Sequence, residues 1–308
     1  MTIHPPGAPQ PPATPRLLFV HAHPDDESSK GAATAARYAD EGAEVTLVTC
    51  TGGEAGDVLN PACDPVPPER MAEVRAAELA DAAAAIGFSR VHRLGYVDSG
   101  WTEDLATVPK GTFWHVPMDE CAPRLATLLR DERPHVVVTY PEDGGYPHPD
   151  HIRNHDITMA AMALAADPAA DLDGDPWHVA KVYACTGFHG ERLRSLHHAL
   201  EDAGLESPFT RWLEDRPERF EEPDPTTRIW CGDWFSRRDA ALRAHVTQID
   251  PDGFFFQIPR DLERATYPYE AYDVLHSDVP VGDVEDDLFA GLDPQLLDTT
   301  RGRVPERR

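Results

Sequence analysis

Arg16-Leu17-Leu18-Phe19-Val20-His21-Ala22-His23-Pro24-Asp25-Asp26-Glu27 runs from an unbroken apolar stretch straight into two histidines and three acids. A continuous apolar run of this length is the strand that a parallel sheet buries on both faces. The charged residues follow where that strand ends, and open α/β sheets bind their ligands at strand C-terminal ends. Carboxylates held at short range raise each other's pKa and lose hydration unless a cation offsets them. A divalent metal is the simplest offset.

Working outward, strands and helices alternate. Residues 31–41 are Ala-rich and stop at Gly42, residues 44–49 are β-branched, and residues 67–87 carry a helical apolar face through Met71, Val74, Leu79 and Ile86. A short strand at 91–94, a helix at 118–130 and a β-branched strand at 135–140 follow. That last strand empties into Pro141-Glu142-Asp143-Gly144-Gly145-Tyr146-Pro147-His148-Pro149-Asp150-His151, and a helix continues to about residue 166. The alternation predicts an α/β fold, Rossmann-like and doubly wound, with a mostly parallel sheet. The expected division is a flexible leader over 1–15, which holds six prolines, a catalytic domain over 16–170, a smaller C-terminal α+β pocket region over 171–280 and a solvated tail over 281–308. In the C-terminal part a strand is expected at 179–185, with helices at 191–203 and 233–245 and irregular chain after Asp250. Thr51-Gly52-Gly53-Glu54-Ala55-Gly56-Asp57 fails the dinucleotide glycine template and lacks a phosphate-loop lysine.

With 28 Lys+Arg against 54 Asp+Glu, the net charge is −26, which disfavours nucleic acid and anionic membrane surfaces. No stretch reaches the roughly 20 apolar residues of a membrane span. Five dispersed cysteines without a C-x-x-C spacing predict a reduced, cytoplasmic protein with no thiolate metal site.

Both acidic-histidine clusters leave apolar strands at what should be one sheet edge, so the fold brings them together. His23, Asp26 and His151 offer two imidazoles and one carboxylate. That set suits Zn²⁺ and leaves a fourth position open for catalysis. Asp25 is placed as general base, and His148 as acid or carbonyl-polarising group. Asp150 would fix a histidine tautomer, and Tyr146 would donate to an oxyanion. Taken singly, Asp25 to Glu27 also reads as a helix N-cap run and His148/His151 as a surface turn between prolines. Two such clusters after two strands make coincidence a poor account.

H-A-H-P-D-D-E with G-G-Y-P-H-P-D-H closely resembles the LmbE-like zinc deacetylases and amidases, over about residues 16–260. The resemblance implies His23, Asp26 and His151 as ligands of Zn²⁺, or of Fe²⁺, with Asp25 as base and Tyr146, His148 and Asp150 beside them. It places sugar contacts on Arg75 and Asp98, and an acidic neighbour of the amino sugar on Asp57. Ser28-Ser29-Lys30-Gly31-Ala32-Ala33, Thr51 to Glu54 and Arg243-Ala244-His245-Val246-Thr247-Gln248-Ile249-Asp250-Pro251 look like the branch that cleaves mycothiol S-conjugates, giving a mercapturic acid and glucosaminyl-inositol. The other branch deacetylates GlcNAc-inositol and tends to carry a small neutral residue in place of Lys30. Lys30 is therefore the expected substrate-side cation; its bland reading is a first-turn surface lysine. The expected partners are a small thiol conjugate or an amino-sugar inositol, and a homo-oligomer is compatible. Residues 102–114 depart from the family, and Phe254 to Phe256 read as core or as the aglycone wall. The different-class alternative, a non-catalytic nucleotide- or metal-binding α/β protein, calls for a glycine fingerprint or cysteine ligands, and neither is present.

Overall fold

β1 (Arg16–His21) lies inside the sheet because its side chains alternate between two apolar faces and both are covered. Leu17 and Phe19 enter one core, with Val45, Leu47, Val136 and Val138 of flanking strands. Leu18 and Val20 enter the other, with Val48, Cys50 and Val137. The structure, a computed structural model, describes residues 14–215 and 223–293. The remaining strands there are β2 (Glu44–Thr51), β3 (Arg90–Tyr96), β4 (Val136–Thr139), β5 (Lys181–Cys185), β6 (Thr227–Trp230) and β7 (Tyr269–Ser277). They form one sheet in the order β3-β2-β1-β4-β5-β7-β6. The first five strands run parallel, and β7 is antiparallel to both β5 and β6. The fold is thus α/β with a mixed, mostly parallel sheet, as the alternation predicts.

Helices cover both faces. α2 (Ala32–Asp40), α3 (Pro68–Ile86) and α8 (Phe235–Ala244) pack on the Phe19 side. α4 (Met118–Glu132) and α5 (Pro149–Ala166) pack on the Val20 side. The one-turn α1 (Asp26–Ser29) precedes α2, α6 (Gly190–Asp202) and α7 (Thr210–Asp215) lie between α5 and α8, and α9 (Arg260–Thr266) precedes β7. The chain steps from β1 outward to β2 and β3, then returns through α4 to β4 on the other flank of β1. This reversal opens a crevice above the C-terminal ends of β1 and β4, the ligand-binding position of such sheets. No helix among the described residues is long and apolar enough to cross a membrane.

Three local expectations differ. The region after Asp250 is not irregular throughout, because it contains α9 and the nine-residue β7. Strands from both sides of residue 170 share one sheet, since β5 pairs directly with β4. The segment after Asp283 is only partly solvated: Leu288 is buried, and Glu285 meets the buried Lys181 ammonium at 2.6 Å. The leader up to residue 13, residues 216–222 and the tail from 294 lie outside the described residues.

Candidate metal centre

Two strand ends deliver the donors. Beyond β1 the chain turns at Pro24-Asp25 into α1, which sets His23 beside Asp26. Beyond β4, residues 140–148 lead into the first turn of α5, where Pro149 opens the helix and Asp150 and His151 follow. His23 Nδ1 and His151 Nε2 each lie 3.4 Å from the same oxygen, Asp26 Oδ2. Ligands about 2.1 Å from a tetrahedral ion sit about 3.4 Å from one another, so these two spacings suit a metal ion. All three residues are buried.

The outer nitrogens fix the tautomers. His151 Nδ1 donates to the Gly144 carbonyl at 3.2 Å, leaving Nε2 as a lone pair facing Asp26. Gly144 has φ +77, and a Cβ there would lie 2.7 Å from the His151 Cβ, so only glycine brings that carbonyl so close. His23 Nε2 donates to Asp150 Oδ2 at 3.2 Å, which leaves Nδ1 free toward Asp26. Asp150 also accepts the Ser99 N–H at 2.9 Å. A second grouping, His23 with His148 and Asp150, is equally compact. It fits a metal less well, because Asp150 Oδ2 already holds those two donors and His148 Nδ1 accepts the Asp150 N–H at 3.1 Å. An exposed cluster of His178, His276 and Asp278 saturates itself, the two Nε2 atoms meeting the carboxylate at 2.7 and 3.1 Å.

Asp25 is the mechanical focus. Its φ of 105 is left-handed, a costly conformation outside glycine, and its side chain makes no helix-capping bond, so the N-cap account of the acidic run fails. Glu27 Oε2 accepts the Asp25 N–H at 2.9 Å. Arg75 Nη2 holds Asp25 Oδ2 at 2.7 Å and also reaches the Pro24 carbonyl, while Nη1 donates to the Gly53 carbonyl at 2.6 Å. A Cβ on Gly53 would lie 2.1 Å from Arg75 Nη1, so that glycine makes room for the guanidinium. Arg75 is therefore a buried clamp rather than a solvated helix residue. Behind Glu27 stands His245, whose Nε2 is 2.6 Å from Glu27 Oε1 with both groups buried. Sequence reasoning gave Glu27 only a supporting place and gave His245 no role. The sole signal was that His245 occurs in the Arg243 to Pro251 stretch.

The other expected residues divide. Asp98 enters the site, with Oδ1 3.7 Å from His23 Nε2 and both oxygens anchored by the Ala55 and Gly100 amides. The Tyr146 hydroxyl is 3.4 Å from His151 Nε2 on the open side of the triad. Lys30 reaches inward, with Nζ 2.6 Å from Asp26 Oδ1. Asp57 is exposed on the loop after β2, and its main-chain carbonyl, not its carboxylate, receives Gln248 Nε2 at 3.0 Å. His21 supports from below, its Nδ1 3.0 Å from the Tyr140 hydroxyl.

Charge follows geometry. Burial alone would raise the Asp26 pKa, but Lys30 and His151 hold it well below the usual carboxylate value. Burial would lower that of His23, yet Asp150 and Asp26 carry it well above the usual histidine value. Proton and metal compete for His23 Nδ1: without a metal on that nitrogen, the His23 proton and the Lys30 ammonium offset the carboxylates. Burial pushes Asp25 up, with Arg75 opposing and Asp26 adding. Burial and the neighbouring His23 lower His148 to about 3.

Residues 18–162 match the family model described as PIG-L: GlcNAc-PI de-N-acetylase. The mycothiol S-conjugate amidase of Streptomyces coelicolor is 47% identical, spanning 90% of this chain and 97% of that protein. The 1D-myo-inositol 2-acetamido-2-deoxy-alpha-D-glucopyranoside deacetylase of Streptomyces griseus is 43% identical over 94% of this chain and 93% of its own. In fold, a conserved protein of Thermus thermophilus superposes with a TM-score of 0.57 at 22% identity, over 95% of this chain and 98% of that one. The N,N'-diacetylchitobiose deacetylase of Pyrococcus horikoshii gives 0.57 at 17% identity, over 84% and 83%. With the family model over its first half and such relatives over nearly its whole length, the chain belongs to the PIG-L, or LmbE-like, deacetylase and amidase family.

Proposed function

We propose that this chain is a metal-dependent amidohydrolase that cleaves the amide between an acyl group and a glucosamine-type amine, with mycothiol S-conjugates as substrates. The observation that carries the substrate choice is the 47% identity to the amidase of that name over 90% of the chain. The deacetylase of the sister reaction stands at 43%. Zinc fits the two-nitrogen, one-oxygen set of His23, His151 and Asp26; when bound, it polarises the amide carbonyl and makes water acidic enough to ionise near neutral pH.

The chain's own groups then divide the proton work. Arg75 occupies Asp25 Oδ2, so Oδ1 is the oxygen that takes the attacking water's proton. His148 accepts the Asp150 amide at Nδ1 and so carries its proton on Nε2. With a pKa near 3 it stays neutral, and it serves as a hydrogen-bond donor to the oxyanion rather than as an acid. Tyr146, whose pKa burial raises, remains protonated and donates from the open side. The C–N bond breaks as Asp25 returns its proton to the departing amine, giving a carboxylic acid and a free amino sugar. Arg75, committed to Asp25 and two carbonyls, positions the base; Asp98 is left to meet the sugar.

The test is hydrolysis of a mycothiol S-conjugate and of GlcNAc-inositol by the zinc-loaded protein, with Asp25→Ala as control. Turnover of the conjugate by the wild type alone is expected. Turnover of neither substrate, with metal bound, would sink the enzyme reading.

A further inference from the structure

We infer that a cavity on the β5–β7 side of the metal centre is the acyl-side pocket and receives the apolar, thioether-linked group of the substrate; this rests on the amidase reading above. The cavity is walled by Ser29 and Lys30, by the Thr186-Gly187 turn beyond β5, and by Phe188, Phe254 and Phe255. α1 is thus shared between two functions: Asp26 at its start belongs to the triad, while its end forms the wall. Lys30 is the partition, bonded to Asp26 at its tip and lining the cavity. On another side of the centre His23 faces Asp98, whose N–H donates to Glu54 Oε1, and these carboxylates suit a polyhydroxylated amine. An amide has two sides, and the aromatic flank falls to the acyl side.

The wall's charges are already balanced. Arg192, Arg238 and Arg260 converge on Glu263 at 3.1, 2.7 and 2.8 Å. Arg260 also holds Asp239 at 2.8 Å, and Glu270 accepts the Ala33 and Thr34 amides of α2 at 3.2 and 2.8 Å. Counting Lys30 with its partner Asp26, and Asp239 behind the lining, four cations stand against four carboxylates, so no excess charge is left to recruit an ionic ligand. Apart from the Thr186 hydroxyl, which is buried without a partner, what remains open is aromatic. Phe254 stacks on Trp212 at 5.3 Å and lies 5.7 Å from Phe188, while Trp212 and Phe188 stay 40% and 41% exposed. Phe209 and Ile258 beneath them already close the local core. Of these rings Phe188 and Phe254 line the cavity, which Lys30 joins to the metal centre; rings left open on such a wall bury an apolar guest, and an acetyl group would not need them.

Gly187 supplies the test. A Cβ there meets nothing within 4 Å, so the wall accepts a side chain at this position and Gly187→Trp should narrow the cavity. The variant should lower kcat/KM for an S-benzyl conjugate about tenfold or more, and leave the S-methyl conjugate and GlcNAc-inositol within about threefold. Phe254→Ala should erase the preference for S-benzyl over S-methyl. Calorimetric titration of N-acetyl-S-benzylcysteine into the metal-loaded protein should show binding that Gly187→Trp abolishes. Equal losses on all substrates, or an unchanged size preference in both variants, would overturn the pocket while leaving the amidase reading intact. Binding of the benzyl thioether that depends on Gly187, without turnover of any conjugate, would support the pocket and overturn the amidase reading.

Discussion

Asp150→Asn separates a ligand from the group that orients it. Asp150 Oδ2 accepts from His23 Nε2 at 3.2 Å and from Ser99 N at 2.9 Å, whereas Oδ1 is buried without a hydrogen-bond partner. An asparagine places its carbonyl on the two donors and keeps the His23 tautomer, but it removes the charge that makes the imidazole a better donor. Its amide NH₂ falls on the unpartnered side, costing about 1–3 kcal/mol of stability. Losing such an outer carboxylate weakens metal binding about 10- to 100-fold, or about 1.4–2.7 kcal/mol. The assay is competition for Zn²⁺ against a chromophoric chelator at neutral pH, with urea unfolding in parallel. Asp26→Asn, which strikes the shared oxygen itself, should lose far more. Should Asp150→Asn bind zinc within about twofold of wild type, the orienting argument fails. Should it lose zinc as fully as Asp26→Asn, Asp150 is a ligand and the competing set of His23, His148 and Asp150 is the true one.

Arg75→Lys keeps the charge but loses the fork that reaches Asp25 and two carbonyls, so kcat should fall about tenfold or more at nearly constant KM. A rise in KM at constant kcat would instead return Arg75 to substrate binding. Lys30→Met removes a cation 2.6 Å from Asp26 Oδ1; zinc should bind more tightly in the same chelator competition, and weaker binding would refute the competition between lysine and metal. For Glu263, burial would raise the carboxyl pKa, but Arg238, Arg192 and Arg260 hold it at about 2 against an ordinary 4.5. A depressed folded-state pKa gives stability that is complete above about pH 4.5 and fades as pH falls through about 2. The unfolding free-energy gap between wild type and Glu263→Gln should therefore be roughly 3 kcal/mol at pH 6 and smaller at pH 3. A gap that stays constant would refute this account.

The proposed metal residues stand out in the sequence because each cluster is local and each follows an unbroken apolar run. Leu17 to Val20 announces burial on two faces, and the observed cores take alternate residues from it. What was not legible is pairing over long separations. That Asp150 serves His23, 127 positions away, required the sheet order, as did the 218-position link from Glu27 to His245. Arg75 sits between core positions of α3, where periodicity predicts solvent, but the crevice lip turns it inward. β7 escaped notice because its side chains serve particular partners rather than one apolar face: Glu270 caps the α2 amides while Tyr272 fills the core. Lys181 breaks the rule for a buried strand because Glu285, outside every recognised motif, neutralises it.

These long-range links explain why Asp25, the proposed base, sits where it does. A left-handed aspartate costs on the order of 1–3 kcal/mol, and it persists only where its surroundings over-determine it. Here the Glu27 carboxylate takes the Asp25 amide and Arg75 takes the side chain. Glu27 is in turn gripped by Ser28 Oγ and His245 Nε2, both at 2.6 Å. His245 closes the C-terminal end of α8, which packs on α3, the helix that supplies Arg75. The two restraints on Asp25 therefore arrive from two helices braced against each other, one from each half of the chain. The first half carries every proposed ligand and the base, yet without α8 it would lack the group that locks Glu27. That dependence ties the proposed catalytic motif near residue 25 to a chain folded through residue 245.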